Sequence, residues 1–162
     1  MSTDTIERRL ARLEAVEAIR ALKARYLACC DRKDPAGMRA CFADGPVRID
    51  YGAVGYFEDA DALVKLYTEI ACHPHMVELH HGMNPQIEVL DTDHARGSWS
   101  LHYFLINTQA RQATQLAGYY EDEYRRQGGE WKISATRFVA TSTLVLELGA
   151  DKLKALFAGR PG

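Results

Sequence analysis

Four of the chain's six histidines, His73, His75, His80 and His81, fall within nine residues. Imidazoles this close together suggest a metal site, since histidine is a common transition-metal ligand. No carboxylate stands at a familiar ligand spacing from them, and Pro74 interrupts the run, so no metal is expected. In an extended chain His80 and His81 point to opposite faces, so at most one lines a given pocket. His80 shares its face with Gly82 and Asn84, a small-then-polar pattern suited to a cavity wall. His81 shares its face with Leu79 and Met83. Asp31 is the second unusual residue. It follows the apolar run Ala28-Cys29-Cys30 near the end of a predicted helix, where the macrodipole disfavours a carboxylate. It is either a solvated terminal residue beside Arg32 and Lys33 or a pocket carboxylate. Tyr26 lies on the buried stripe of the same helix, either as a core aromatic with a satisfied hydroxyl or as part of that pocket. About 140° separates Tyr26 from Asp31 on an ideal helix. The two converge only if the helix ends or unwinds near Asp31.

The elements that must position these groups follow from periodicity. Ile6, Leu10 and Leu13 recur at helical spacing, and Val16, Ile19, Leu22, Tyr26 and Cys29 or Cys30 continue the stripe. Thr3 or Asp4 suits the N-cap, and the length of the pattern allows a kink between Leu13 and Glu17. Pro35 fits the first turn of a short helix with Met38, Cys41 and Phe42 inward. Val47, Ile49 and Tyr51 alternate as a strand, with Gly52 and Gly55 in the following turn. Asp59 caps a helix running to about Cys72, with Leu63, Leu66, Tyr67 and Ile70 as its buried stripe. Four long strands follow, at about Met76–Leu90, Ala95–Thr108, Ala113–Gln127 and Trp131–Leu146. Their length predicts strong curvature or bulges. A short closing helix is expected over Ala150–Phe157. Helices first and antiparallel strands afterwards define an α+β chain. One curved sheet wrapped around the N-terminal helices would leave a cavity at its concave face.

Composition removes several function classes. The net charge of −2 and scattered lysines and arginines offer no phosphate-binding stripe, so no nucleic-acid partner is expected. No apolar run approaches the roughly 20 residues that span a bilayer, and Met1 to Arg9 is too polar for a signal peptide. A cytoplasmic location without membrane association is the expectation. Cys29, Cys30, Cys41 and Cys72 form no C-x-x-C pair and read as small core residues. Phosphate-loop, dinucleotide, nucleophile-elbow and zinc-protease motifs are absent, which argues against nucleotide binding and serine hydrolysis.

Several blocks then resemble the nuclear-transport-factor-2-like (cystatin-like) superfamily and within it the SnoaL-like branch. They are Tyr26-(x)4-Asp31, Asp34-Pro35, Met38-Arg39-Ala40-Cys41-Phe42 and Val47-Arg48-Ile49-Asp50-Tyr51. His80-(x)3-Asn84-Pro85-x-Ile87-Glu88-Val89, Gly118-Tyr119-Tyr120-Glu121-Asp122-Glu123-Tyr124 and Trp131-Lys132-Ile133 extend the match. The resemblance spans about residues 5–145 and implies one domain over 1–162, with a helical tail at 149–158. It implies a cone-shaped, mostly antiparallel mixed sheet closed by three helices around an apolar pocket, usually in a homo-oligomer, here a dimer or trimer. It is similar to scytalone dehydratase and the bile-acid dehydratases, which work without a cofactor. Their matching positions make Tyr26, Asp31 and His80 the catalytic candidates. His80 would then take a proton next to a carbonyl, as a base titrating near neutrality. Asp31 would fix the imidazole tautomer and stabilise its cation, or serve as the base itself. Tyr26 would donate to the developing enolate or assist a departing hydroxyl.

Two departures from the dehydratase pattern accompany these matches. The second acid/base position falls nearest Tyr103, with Leu105 the alternative and His102 pointing away, and a late arginine is replaced by Ala140. The family register puts Tyr51, Trp99, Tyr103 and Tyr120 around the pocket with Asn84, although one or two of the four aromatics would be plain core. The implied activity is a dehydratase-like lyase or isomerase acting on a hydrophobic, cyclic or aromatic carbonyl or hydroxy compound. Two alternatives stay open: a non-catalytic small-molecule-binding protein, and an assembly subunit like the small subunit of aromatic-ring dioxygenases. Contact between His80 and Asp31 in one closed pocket favours catalysis, a pocket without it favours binding, and a filled cavity with an apolar outer sheet face favours the subunit.

Overall fold

A computed structural model describes residues 5–149 and 152. Helix α1 spans Ile6–Arg32 and α2 spans Pro35–Ala40; after them come strand β1 (Arg48–Asp50), a 3-10 turn at Gly52–Val54 and β2 (Tyr56–Phe57). Helix α3 spans Ala60–Ala71, followed by β3 (Met76–Val89), β4 (His94–Asn107), β5 (Gln112–Gln127) and β6 (Glu130–Glu147). The six strands form one sheet in the order β2-β1-β6-β5-β4-β3, antiparallel except for the β1–β6 pair. This is the α+β arrangement of helices around a curved, mostly antiparallel sheet that the element order implies. No described helix is long and apolar enough to cross a membrane.

Local chemistry sets the helix ends. Thr5, rather than Thr3 or Asp4, caps α1, and Lys33 at φ 57° closes it in the left-handed conformation. Thr3 and Asp4 lie outside the described residues, as does all of the predicted closing helix except Lys152. Asp34 caps α2 by accepting from the Gly37 N–H, with Pro35 in the first turn, and Asp59 caps α3. Bulges at Met83/Gln86, Ala117/Gly118 and Glu123/Tyr124 bend the long strands. A Cβ at Gly118 would collide with the Val139 carbonyl and the Phe138 ring, so the bend there requires glycine.

Two expectations for α1 need correction. The helix runs from Ile6 to Arg32 as one element with no break between Leu13 and Glu17. Its first apolar residues are uncovered: Ile6, Leu10 and Leu13 are exposed, whereas Ile19, Leu22, Tyr26 and Leu27 are buried. Helical spacing identifies the apolar face but not how far along it the sheet extends. The α3 stripe is likewise only part core. Leu63 is buried, but Leu66 and Tyr67 are half-buried and Ile70 is exposed, because this face borders a cavity.

Beneath the sheet a polar cluster is fully enclosed. Lys23 of α1 donates to Asp122 of β5 at 2.8 Å, and both side chains are sealed from solvent. Asp122 also accepts from the Tyr124 and Thr136 hydroxyls, each at 2.7 Å, and Trp99 Nε1 donates to the Tyr124 hydroxyl at 2.9 Å. The Lys23 ammonium stands 3.5 Å from the centre of the Tyr120 ring, a cation–π contact. Burial pulls the Lys23 pKa down, and the Asp122 carboxylate opposes that shift.

Candidate active site

A cavity of about 340 Å³ opens between α1, α3 and the concave face of the sheet. Leu63, Leu66, Ile70, Leu101, Leu116 and Phe138 make its wall largely apolar, with Tyr26, Tyr51, Tyr103, Tyr120, Glu78 and His80 as its main polar groups. Such a lining suits a compact hydrophobic molecule held by a few directional contacts.

His80 and Asp31 meet. The Asp31 carboxylate faces His80 Nδ1 at 2.7 Å and accepts the His80 main-chain N–H at 3.0 Å. An ionised carboxylate only accepts, so Nδ1 carries the proton and Nε2 keeps its lone pair when the ring is neutral. Asp31 remains in the last helical turn and does not unwind. It reaches β3 because α1 ends one residue later, at Arg32, with Lys33 as the left-handed cap. It does not join Tyr26, whose hydroxyl shares a 2.7 Å hydrogen bond with Tyr51 on the cavity wall. Tyr26 therefore lines the cavity directly, whereas Asp31 stands behind His80.

The remaining predicted residues divide. Tyr51, Tyr103 and Tyr120 line the cavity. Trp99 does not. It is buried against Tyr124 in the enclosed polar cluster and belongs to the core. Asn84 is also displaced, being exposed with φ 51° inside the β3 bulge, where Pro85 has no N–H to pair. Strict two-residue alternation from His80 fails there because the bulge resets the facing of the strand. Tyr103 stands directly across from His80 on β4, with ring centres 4.7 Å apart. His102 faces outward beside Gln115, and His81 pairs with it on the outer face. His73 and His75 stack on each other at 5.2 Å where α3 gives way to β3. Among the described residues, no three His, Cys, Asp or Glu side chains group to hold a metal ion.

Glu78 escaped the sequence reading. It lies two residues before His80 on the same face of β3, so strand parity was the signal that could have found it. Its carboxylate accepts the Tyr103 hydroxyl at 2.8 Å and forms an ion pair with Lys33. Residues 31 and 33 at the helix end thus engage residues 80 and 78 of the strand, a matched double contact.

The phenols of this site are donors rather than bases. Burial raises the pKa values of Tyr26, Tyr51 and Tyr120, and burial together with the Glu78 charge raises that of Tyr103. Tyr67, whose hydroxyl donates to the Cys30 carbonyl, and Tyr124 are shifted the same way by burial. Titration of the folded protein followed by tyrosinate absorbance should therefore leave these six of the eight tyrosines protonated above the ordinary value of about 10. A raised folded pKa favours the native state below the unfolded value, and this advantage is lost as pH rises above it. Stability should thus be unaffected by these groups below about pH 10 and fall above it. Ionisation of all eight tyrosines near pH 10 before any unfolding would contradict the geometry.

With the site defined, comparison with known proteins gives the family. Residues 11–137 match the SnoaL-like domain model, and the chain belongs to the SnoaL-like domain family. Solved structures agree on the fold. A candidate scytalone dehydratase from Novosphingobium aromaticivorans DSM 12444 superposes with a TM-score of 0.76 at 20% identity, over 93% of this chain and 95% of its own. Hexachlorocyclohexane dehydrochlorinase LinA-type3 from Novosphingobium barchaimii LL02 also gives 0.76 at 20% identity, over 94% and 99%. A candidate aromatic ring hydroxylase from Novosphingobium aromaticivorans gives 0.72 at 17% identity, over 80% and 91%.

Proposed function

We propose that this protein is a cofactor-independent lyase or isomerase that acts by general acid/base catalysis on a hydrophobic, cyclic or aromatic carbonyl or hydroxy compound. The carrying observation is the 2.7 Å contact between Asp31 and His80 Nδ1 beside an open, largely apolar cavity. In this reading His80 Nε2 takes a proton from the carbon next to a carbonyl. Asp31 holds the tautomer and stabilises the imidazolium that forms. Tyr26, on the cavity wall beside Tyr51, would turn its hydroxyl to the developing enolate oxygen. In an elimination the imidazolium returns its proton to the departing hydroxyl: a C–H and a C–O bond break, a C=C bond forms and water leaves. Return of the proton to carbon gives isomerisation. The names of two structural neighbours, a dehydratase and a dehydrochlorinase, both describe eliminations.

Native mass spectrometry of protein purified from cells would identify a retained compound. Incubated in D2O with the protein, that compound should lose water or gain deuterium next to its carbonyl. A compound recovered unchanged would favour the binding-protein alternative.

The reading includes a homo-oligomer. Ile6, Leu10 and Leu13 form an uncovered apolar face on α1, with Arg8, Arg9 and Arg12 preceding Glu14 and Glu17. Two such segments packed antiparallel would bury the apolar face and bring opposite charges together, the self-complementary pattern of a two-fold contact. Light scattering should give a dimer or a higher oligomer, with Leu10→Lys/Leu13→Lys reducing its mass. A monomeric parent protein would rule this out.

A further inference from the structure

Tyr103 has one O–H, and the structure commits it: the hydroxyl donates to Glu78 at 2.8 Å rather than pointing its proton into the cavity. Glu78 is a fixed acceptor, since its other oxygen is ion-paired to Lys33 and its side chain is only 9% exposed. An ionised carboxylate offers no proton in return. The Tyr103 oxygen can therefore present only lone pairs to a molecule in the cavity. We infer that Lys33, Glu78 and Tyr103 form a polarity filter that makes this wall an acceptor. It admits a ligand hydroxyl and discriminates against an ether, ketone or halogen in the same place. The inference rests on the proposed small-molecule site but not on turnover there.

Replacing Glu78 with glutamine tests the filter because the amide is not symmetric. The Lys33 ammonium can only donate, so the amide oxygen must face it and the amide N–H2 must face Tyr103. Tyr103 then accepts from residue 78, and its own proton turns into the cavity. The probes are 1-naphthol and 1-methoxynaphthalene, a donor and its capped counterpart, measured by calorimetry. His80 Nε2 is a second acceptor in the cavity, so the measurement is made in the His80→Ala protein. There naphthol should bind about fivefold or more tightly than the ether, as one net hydrogen bond requires. Adding Glu78→Gln should bring that ratio to about one, with the ether gaining affinity. A merely structural role for Glu78 would weaken both probes together and leave their ratio unchanged, which would overturn the filter. Equal affinity in the His80→Ala parent, or no binding of either probe, would overturn it as well. The ratio is read without catalysis, so failure of the proposed reaction and failure of the filter give separate results.

Discussion

The His80→Ala protein is expected to lose about 10²–10⁴-fold in kcat on the compound retained from cells, the range that a positioned general base supplies. Among the described residues, the imidazole is the only cavity group with a nitrogen lone pair aligned by a carboxylate, and the tyrosines around it stay protonated. The Asp31 and Glu78 carboxylates nearby are held in bonds to residue 80, Lys33 and Tyr103 and are weaker bases than an imidazole. The fold should survive the substitution, because the bond from the residue-80 main-chain N–H to Asp31 does not involve the imidazole. Steady-state kinetics and a thermal melt, run side by side, make the check. A kcat within about twofold of the parent would remove His80 from the chemistry, since loss of a base costs far more than that. A large fall in melting temperature would show instead that the ring supports the structure.

The second large effect concerns stability. Asp122→Ala should destabilise the protein by about 3–5 kcal/mol, the cost of leaving a buried charge without its partner. The substitution strands the Lys23 ammonium and removes the acceptor of both the Tyr124 and Thr136 hydroxyls. All buried side-chain nitrogen and oxygen atoms among the described residues have a hydrogen-bond partner, so the substitution turns a satisfied interior into one with three groups deprived of their acceptor. Domains of ordinary size have only about 5–15 kcal/mol in total, so much of the margin would disappear. Urea unfolding measures it directly. A loss below about 1 kcal/mol would mean that the cluster is hydrated in solution, as exposed ion pairs are. Replacing both partners, as in Lys23→Met/Asp122→Leu, should cost less than either single change, because neither charge is then stranded.

Much of the architecture was legible from local signals. Asp34 before Pro35 and Asp59 before an apolar helical stripe act within one turn of the chain, and α2 and α3 begin where those caps require. The four long strands follow alternation and turn residues closely. Features set by distant packing were less legible. The spacing of Ile6, Leu10 and Leu13 is the same whether or not the sheet covers them. Lys23 reads as a surface residue until Asp122, 99 positions later, is placed against it. In the site, His80 followed from parity, whereas Asn84 was misplaced because the bulge between Met83 and Gln86 breaks that parity. Glu78 shared the parity of His80, but its partners Lys33 and Tyr103 come from elements 45 and 25 residues away. Sequence spacing showed which groups share a face; tertiary packing determined their hydrogen-bond direction.

The two bonds that Asp31 makes to residue 80 have separate consequences for how this framework diversifies. One is to the main chain and is indifferent to the side chain carried there; the other is to the imidazole alone. Position 80 can therefore exchange its side chain, and with it the group offered to the cavity, while the helix end stays fastened to the strand. Position 31 lacks that freedom, since any change there disturbs the fastening and the orientation of the imidazole at once. Laboratory selection for a new activity should accordingly find solutions at 80 and around the cavity wall well before it finds them at 31.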